Sequence, residues 1–152
     1  MRVISNTDEL RAAVGSEIGV SDWFQVTQQL VDSFAELTLD PQWIHIDAER
    51  AERESPFGTT VAHGFLTLSL LSHLFRQTFR FEGAHKMTIN YGFNRVRFVS
   101  PVLSGTRVRL RAALQSLREV EGGLECTWDM KIELENSVKP AIAAEWITRF
   151  YF

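Results

Sequence analysis

The sequence predicts an α+β fold in which an antiparallel sheet wraps around a long central helix, and three observations carry that prediction. The stretch "GFLTLSLLSHLF", 64–75, is apolar on every side of a helical wheel, so a helix there needs protein around most of its circumference. In "LECTWDMKIEL", Leu124, Cys126, Trp128, Met130, Ile132 and Leu134 alternate with Glu125, Thr127, Asp129, Lys131 and Glu133, which describes a strand with one dry face and one wet face. Three further segments after residue 85 alternate in the same way. A sheet with one dry face must cover something, and the apolar helix at 62–78 is the partner this chain offers. At 152 residues the chain, 1–152, is read as a single domain.

The elements follow in order. "TDELRAAVG" places Thr7 as an N-cap, acids in the first turn and Gly15 as a stop, predicting a short opening helix. A strand is expected around Val20 to Val26. Thr27 then caps a second helix whose buried face carries Leu30, Val31, Phe34 and Leu37. Pro41 disfavours helical geometry in the residue before it, so this helix ends near Asp40 and places the acid on a turn. Residues 46–60 read as a surface helical turn and a loop carrying Pro56 and Gly58. Beyond the apolar helix, Met87, Ile89, Tyr91 and Phe93 alternate in a first long strand, and "SPVLSG" turns the chain. Val108, Leu110, Ala112 and Leu114 mark the second strand and "EGG", 121–123, the hairpin into the third. Ile142, Ala144, Trp146, Phe150 and Phe152 mark the fourth.

Composition narrows the function. With 45% hydrophobic residues, 23% charged and a net charge of -3, the chain has the profile of a soluble globular protein and lacks the basic excess of a nucleic-acid binder. The longest apolar run falls short of the roughly 18 residues a membrane span needs. A lone cysteine, Cys126, forms no intrachain disulfide, and no leader with a cleavage site is evident, so a cytoplasmic setting is expected. One cysteine and four histidines, with no partners at ligand spacing for His73 and His85, give no metal signature.

Two stretches hold residue types suited to chemistry. "DPQWIH", 40–45, sets an acid and an imidazole at the ends of an apolar segment, and both types suit proton transfer when held near one water. Gly64 opens the apolar helix, where the first amides lack intrahelical partners and favour a partly negative oxygen. Such a donor suits a thioester carbonyl on its way to an enolate. His63 reads instead as a helix-terminus side chain bonded to the preceding loop, with no catalytic part. Trp43 reads as packing before substrate contact, and Arg50 and Arg53 as a solvated face with a secondary reading as contacts for the phosphates of a CoA-like ligand.

"DPQWIH", followed by "SPFGTTVAHGFLTLSLL" and then "NYGFNRVRFVSPVLSG", resembles the hydratase motif of MaoC-like dehydratases, the (R)-specific enoyl-CoA hydratases of the hot-dog fold, and within them the nodulation protein N-like branch. The likeness runs over most of the chain from about residue 20. It implies that Asp40 and His45 hold the water that adds to a trans-2-enoyl-CoA, that the Gly64 amide receives the enolate oxygen, and that Ser72 helps orient the pair. It further implies no cofactor or metal beyond the acyl-CoA substrate itself, and a homodimer with the acyl tunnel near the subunit interface. Two departures stand out: Gln42 and Trp43 occupy the middle of the usual D-x-N-P-x-H, and Leu39 stands where a glycine usually precedes the acid. Two rivals share the fold: an acyl-CoA thioesterase, which would release free thiol, and an acyl-CoA binder that turns nothing over.

Overall fold

A computed structural model describes all residues, 1–152. In chain order the elements are β1 (Arg2–Ile4), α1 (Thr7–Ala12), β2 (Ser16–Val20), β3 (Phe24–Gln25), α2 (Gln28–Thr38), α3 (Trp43–Ile46), α4 (Ala48–Glu54), α5 (Gly64–Ser69), α6 (Leu71–Phe75), β4 (Phe79–Phe81), β5 (Met87–Phe98), β6 (Arg107–Val120), β7 (Gly123–Leu134) and β8 (Ile142–Tyr151). The main sheet runs β2-β6-β7-β8-β5 with β3 also on β6, and every pairing in it is antiparallel. A second, two-stranded sheet joins β1 and β4 in parallel, a pairing of two short segments for which the sequence carries no periodic signal.

Register explains the core. Trp128 stands opposite Leu114 on β6 and Trp146 on β8, so the apolar sets of three neighbouring strands share one face. Against that face packs Phe75 of α6, its ring edge-on to Trp128 at 4.8 Å and to Trp146 at 5.1 Å. Edge-to-face pairs of this kind each add about 0.5–1.5 kcal/mol beyond area burial. Trp128 also donates its indole N–H to the Thr148 hydroxyl at 2.8 Å, which satisfies the one polar atom of a fully buried ring.

On the wet face, arginines and glutamates pair across strands: Glu133 accepts from Arg109 and Arg111, and Glu125 from Arg149 and Arg118. Burial pushes both carboxyls up, and the guanidinium bonds outweigh it, holding both below the usual carboxylate range. These arginines are thereby occupied within the sheet.

Four expectations need correction. The opening helix is capped by Asn6, whose side chain accepts from Glu9 N, because an Asn one residue earlier already satisfies the end amide. The strand predicted at 20–26 begins earlier and is interrupted: β2 ends at Val20 and β3 is only Phe24–Gln25. On α2 the predicted Val31 is buried and Leu30 and Phe34 pack against the core, but Leu37, near the end of the helix, is 81% exposed. The central helix is neither continuous nor enclosed. It breaks at Leu70 into α5 and α6, and Phe65 is 71% exposed, because one chain's sheet covers only the side bearing Leu66, Leu71, Leu74 and Phe75. The apolar side chains of β5 are open in the same way. No helix is long and apolar enough to cross a membrane.

Thr148→Val keeps the shape of the side chain and strips the Trp128 N–H of its acceptor. Leaving that donor buried and unpaired should cost about 1–3 kcal/mol, read as a lower urea midpoint at unchanged slope.

Candidate active site

The site begins where α2 stops. Leu39 takes the left-handed conformation, φ 58°, and Asp40 N reaches back to Ala35 O at 3.0 Å, closing the helix with a tight turn. A left-handed residue with a Cβ costs roughly 1–2 kcal/mol, a cost glycine would avoid. The turn sets the Asp40 side chain at the surface, 57% exposed, with Pro41 directing the chain into α3.

The single turn of α3 faces His45 inward. Its Nδ1–H donates to Val61 O at 2.6 Å; since a carbonyl only accepts, the proton sits on Nδ1 and Nε2 carries a lone pair. The same turn is clamped through its backbone. Gln28, the first residue of α2, donates to His45 O at 2.7 Å and accepts from the Thr60 hydroxyl, while Val61 N donates to Ile44 O at 3.0 Å. Burial lowers the His45 pKa below the ordinary 6.5. The Val61 carbonyl pulls it up, neighbouring His63 pushes it down and Asp40 pulls it up, leaving the net direction downward. His45 is therefore neutral at neutral pH.

His63, the residue before α5, lies flat on His45 with ring centroids 3.7 Å apart and planes 26° from parallel. Its Nε2–H donates to Asp40 O at 3.0 Å, and that nitrogen lies 3.9 Å from Asp40 Oδ2. Phe34 of α2 covers the ring, centroids 5.1 Å apart, and His63 Nδ1 is buried without a partner. One donor atom from each of Asp40, His45 and His63 lies within 4.8 Å of the others. A span of that order accommodates one water bonded to two acceptors at about 2.8 Å each. It suits a metal less well, because lone pairs lie in the ring planes and two stacked rings direct theirs side by side rather than at one tetrahedral centre.

Asp40 and His45 thus come together, as the sequence predicts. Gly64 follows directly on His63, and its N–H, the first of α5, bonds no backbone carbonyl. It lines a cleft of about 270 Å³ with Thr67, Phe98, Pro101 and Ile142, where a Cβ at 64 would fall 2.9 Å from the Phe98 ring. Ser72 lies a helix further on, and its hydroxyl accepts from Asn90 at 3.3 Å, with neither Asp40 nor His45 among its partners. Trp43 carries the Arg50 guanidinium over its ring at 4.4 Å, and Arg50 also bonds Glu54, so the two form a local surface cluster. Arg53 is exposed and makes no ion pair. Sequence reasoning missed His63, whose partner is the Asp40 turn rather than the preceding loop, and Gln28, whose glutamine signals nothing until the fold places it under His45. The signal for His63 was its position beside Gly64.

A helix backed by an antiparallel sheet, with a carboxylate and a neutral imidazole at the mouth of that helix, defines a hot-dog protein equipped for proton transfer. The model of the MaoC like domain matches residues 9–134, and the chain belongs to the MaoC-like dehydratase family, a hydro-lyase. It is 46% identical over 151 residues, 99% of each chain, to 3-hydroxyacyl-thioester dehydratase Z of Mycobacterium tuberculosis (strain ATCC 25618 / H37Rv). It is 45% identical over 151 residues to Nodulation protein N of Rhizobium leguminosarum bv. viciae, covering 95% of this chain and 90% of that one. Among solved structures, the (R)-hydratase from A. caviae involved in PHA biosynthesis superposes with a TM-score of 0.71 at 26% identity, covering 88% of this chain and 96% of that one.

A folded-state imidazole with a lowered pKa contributes stability that is whole above the unfolded value near 6.5 and is lost as pH falls through the folded value. Acidification from about pH 7 to about pH 5 should therefore destabilise the wild type more than His45→Gln, compared by urea midpoints, and the His45 ring should titrate below 6.5 by NMR.

Proposed function

We propose that the protein adds water reversibly to a trans-2-enoyl-CoA to give an (R)-3-hydroxyacyl-CoA. The observation that carries this reading is the neutral, doubly anchored His45, whose Nε2 carries the lone pair and whose ring groups with the Asp40 carboxylate. Two hydrogen-bond acceptors side by side hold one water through both of its protons, which leaves the oxygen lone pair free for attack. The name of the M. tuberculosis relative, a 3-hydroxyacyl-thioester dehydratase, supports the substrate class, and that of the A. caviae structure, an (R)-hydratase, supports the stereochemistry.

In the hydration direction the water oxygen bonds the β-carbon as Asp40 takes one of its protons. The electron pair of the double bond shifts through the α-carbon onto the thioester oxygen, and the Gly64 N–H receives that enolate. The α-carbon then recovers a proton from the Asp40 and His45 pair, and no atom is left over. The thioester already acidifies the α-carbon, so the reaction asks for no metal or further cofactor. Gly64 follows His63 in the chain, and His63 lies on the His45 ring, so the amide and the pair are joined by that stack. Arg50 and Arg53 of α4 are the cations offered to the phosphates of CoA, while Ser72 borders the apolar groove of Phe75 and Trp146 in which an acyl tail would lie.

The functional unit is a homodimer. β5 is an edge strand with Met87, Ile89, Tyr91, Phe93 and Phe98 all exposed, and Phe65 of α5 stands open beside them, its ring 5.9 Å from that of Phe98. An apolar edge of that length is a liability in a monomer and suits an isologous contact with a second copy. Sedimentation should return twice the chain mass, and Tyr91→Glu should shift it to the mass of one chain.

The discriminating assay supplies trans-2-enoyl-CoA and follows loss of conjugation together with free thiol. Conjugation should disappear with no thiol released and the product should be the (R) isomer; thiol release would instead mark a thioesterase, and binding without turnover a carrier. Asp40→Asn and His45→Gln should each lower turnover about a hundredfold or more with circular dichroism unchanged.

A further inference from the structure

We infer that His63 is a positioning residue for the hydration step, holding the turn that presents the Asp40 carboxylate; this rests on the hydratase reading above and extends it to a side chain that reading leaves idle. His63 Nε2–H is the only donor to the Asp40 carbonyl, which accepts from no backbone amide. That carbonyl belongs to a turn under strain, because Leu39 occupies the left-handed region. From the helix side the turn is tied by Asp40 N to Ala35 O and, more loosely, by Leu39 N to Glu36 O at 3.4 Å. The bond from His63 is the one tie that reaches it from the other side, and it comes from the residue adjoining Gly64.

The surroundings of His63 fit this role better than plain packing. The residue is 3% exposed, between the His45 ring and Phe34, a site an apolar ring would fill without desolvating any nitrogen. Keeping an imidazole there leaves Nδ1 buried with no partner. The opposite nitrogen offsets that loss through its bond to residue 40, so the geometry favours a donor at this position over a filler. The stack also sets the angle between the rings of His63 and His45, and one side chain thereby spaces both members of the catalytic pair.

Two variants separate donor from filler. His63→Phe keeps the ring and loses the N–H, whereas His63→Gln loses the ring and can return an amide N–H to the place of Nε2. With trans-2-enoyl-CoA, His63→Phe should lower kcat by about 10- to 100-fold with KM little changed, the penalty of a misplaced reacting group rather than of weaker binding. His63→Gln should recover most of that loss. Independently of turnover, hydrogen exchange at the Asp40 amide should quicken about five- to tenfold in His63→Phe, return toward wild type in His63→Gln, and stay level at Val31 and Ala35 in the body of α2. Wild-type kcat and exchange in His63→Phe would overturn the inference, as would a His63→Gln protein no better than His63→Phe. A wild-type chain that hydrates no enoyl-CoA would sink the hydratase reading, and the exchange ratio would still decide whether His63 holds the turn.

Discussion

The hydrogen bond from His45 Nδ1–H to Val61 O, 2.6 Å long, is the constraint on which the site depends. It does three things at once. It selects the tautomer, so the lone pair is carried by Nε2. It ties α3, a single turn with no side-chain cap of its own, to the segment entering α5. It also allows an imidazole to be buried, since a buried ring N–H without an acceptor would cost about 1–3 kcal/mol. Val61 can serve because its own position is set from elsewhere: it bridges Leu103, and Ala62 N donates to Val102 O at 2.7 Å. The long strands thus hold the loop before β6, that loop holds the entry to α5, and the entry holds His45.

This chain of support explains why the local rules fail where they do. Leu39 sits in a conformation suited to glycine, His63 buries an unpaired nitrogen, and Leu37 and Leu39 are exposed apolar side chains beside the carboxylate. Each departure carries a cost, and all lie within one stretch of α2, its turn and the residue before α5. Elsewhere the sheet obeys the rules closely, with the Trp128 indole satisfied, cross-strand charges paired and the apolar residues of β7 in register with those of β6 and β8. Other departures lie in the scaffold, Asn136 at φ 61°, Gln77 Oε1 buried without a partner and the open apolar edge of β5, but the stretch around Asp40 and His63 gathers several of them in one place.

Much of this was legible in the sequence. The period of two identified the dry faces of β6 and β7 residue by residue and most of that of β8, where Phe152 falls beyond the strand and is 38% exposed and the polar Thr148 is buried among the apolar set. Thr27 as the cap of α2 and Pro41 as the reason for its end were local facts and were read locally. The pairing of Asp40 with His45 was also legible, since five residues across a proline turn cannot stray far. What resisted was non-local. Gln28 under His45, the Val61 carbonyl and the His63 bond to residue 40 join positions 16 to 23 residues apart through groups whose types announce nothing. The parallel pairing of β1 with β4 resisted for the same reason, two strands of 3 residues each being too short for a period.

The central helix and β5 show a different kind of limit. Their all-round and alternating apolar patterns were read as burial within one chain, yet Phe65, Tyr91 and Phe98 stand in the open. A hydrophobic pattern records that a surface is to be dry without recording what dries it. A sheet of this size curls around one side of α5 and α6, and the remaining side of the helix has no further strand in the chain to meet it. The excess is confined to the helix face and the sheet edge next to each other, so a single contact would cover both. Gly64 and Phe98 lie within that same region, their closeness permitted by the missing Cβ. A contact that covered this apolar face would also shield the Gly64 amide from water, because the Phe98 ring belongs to both.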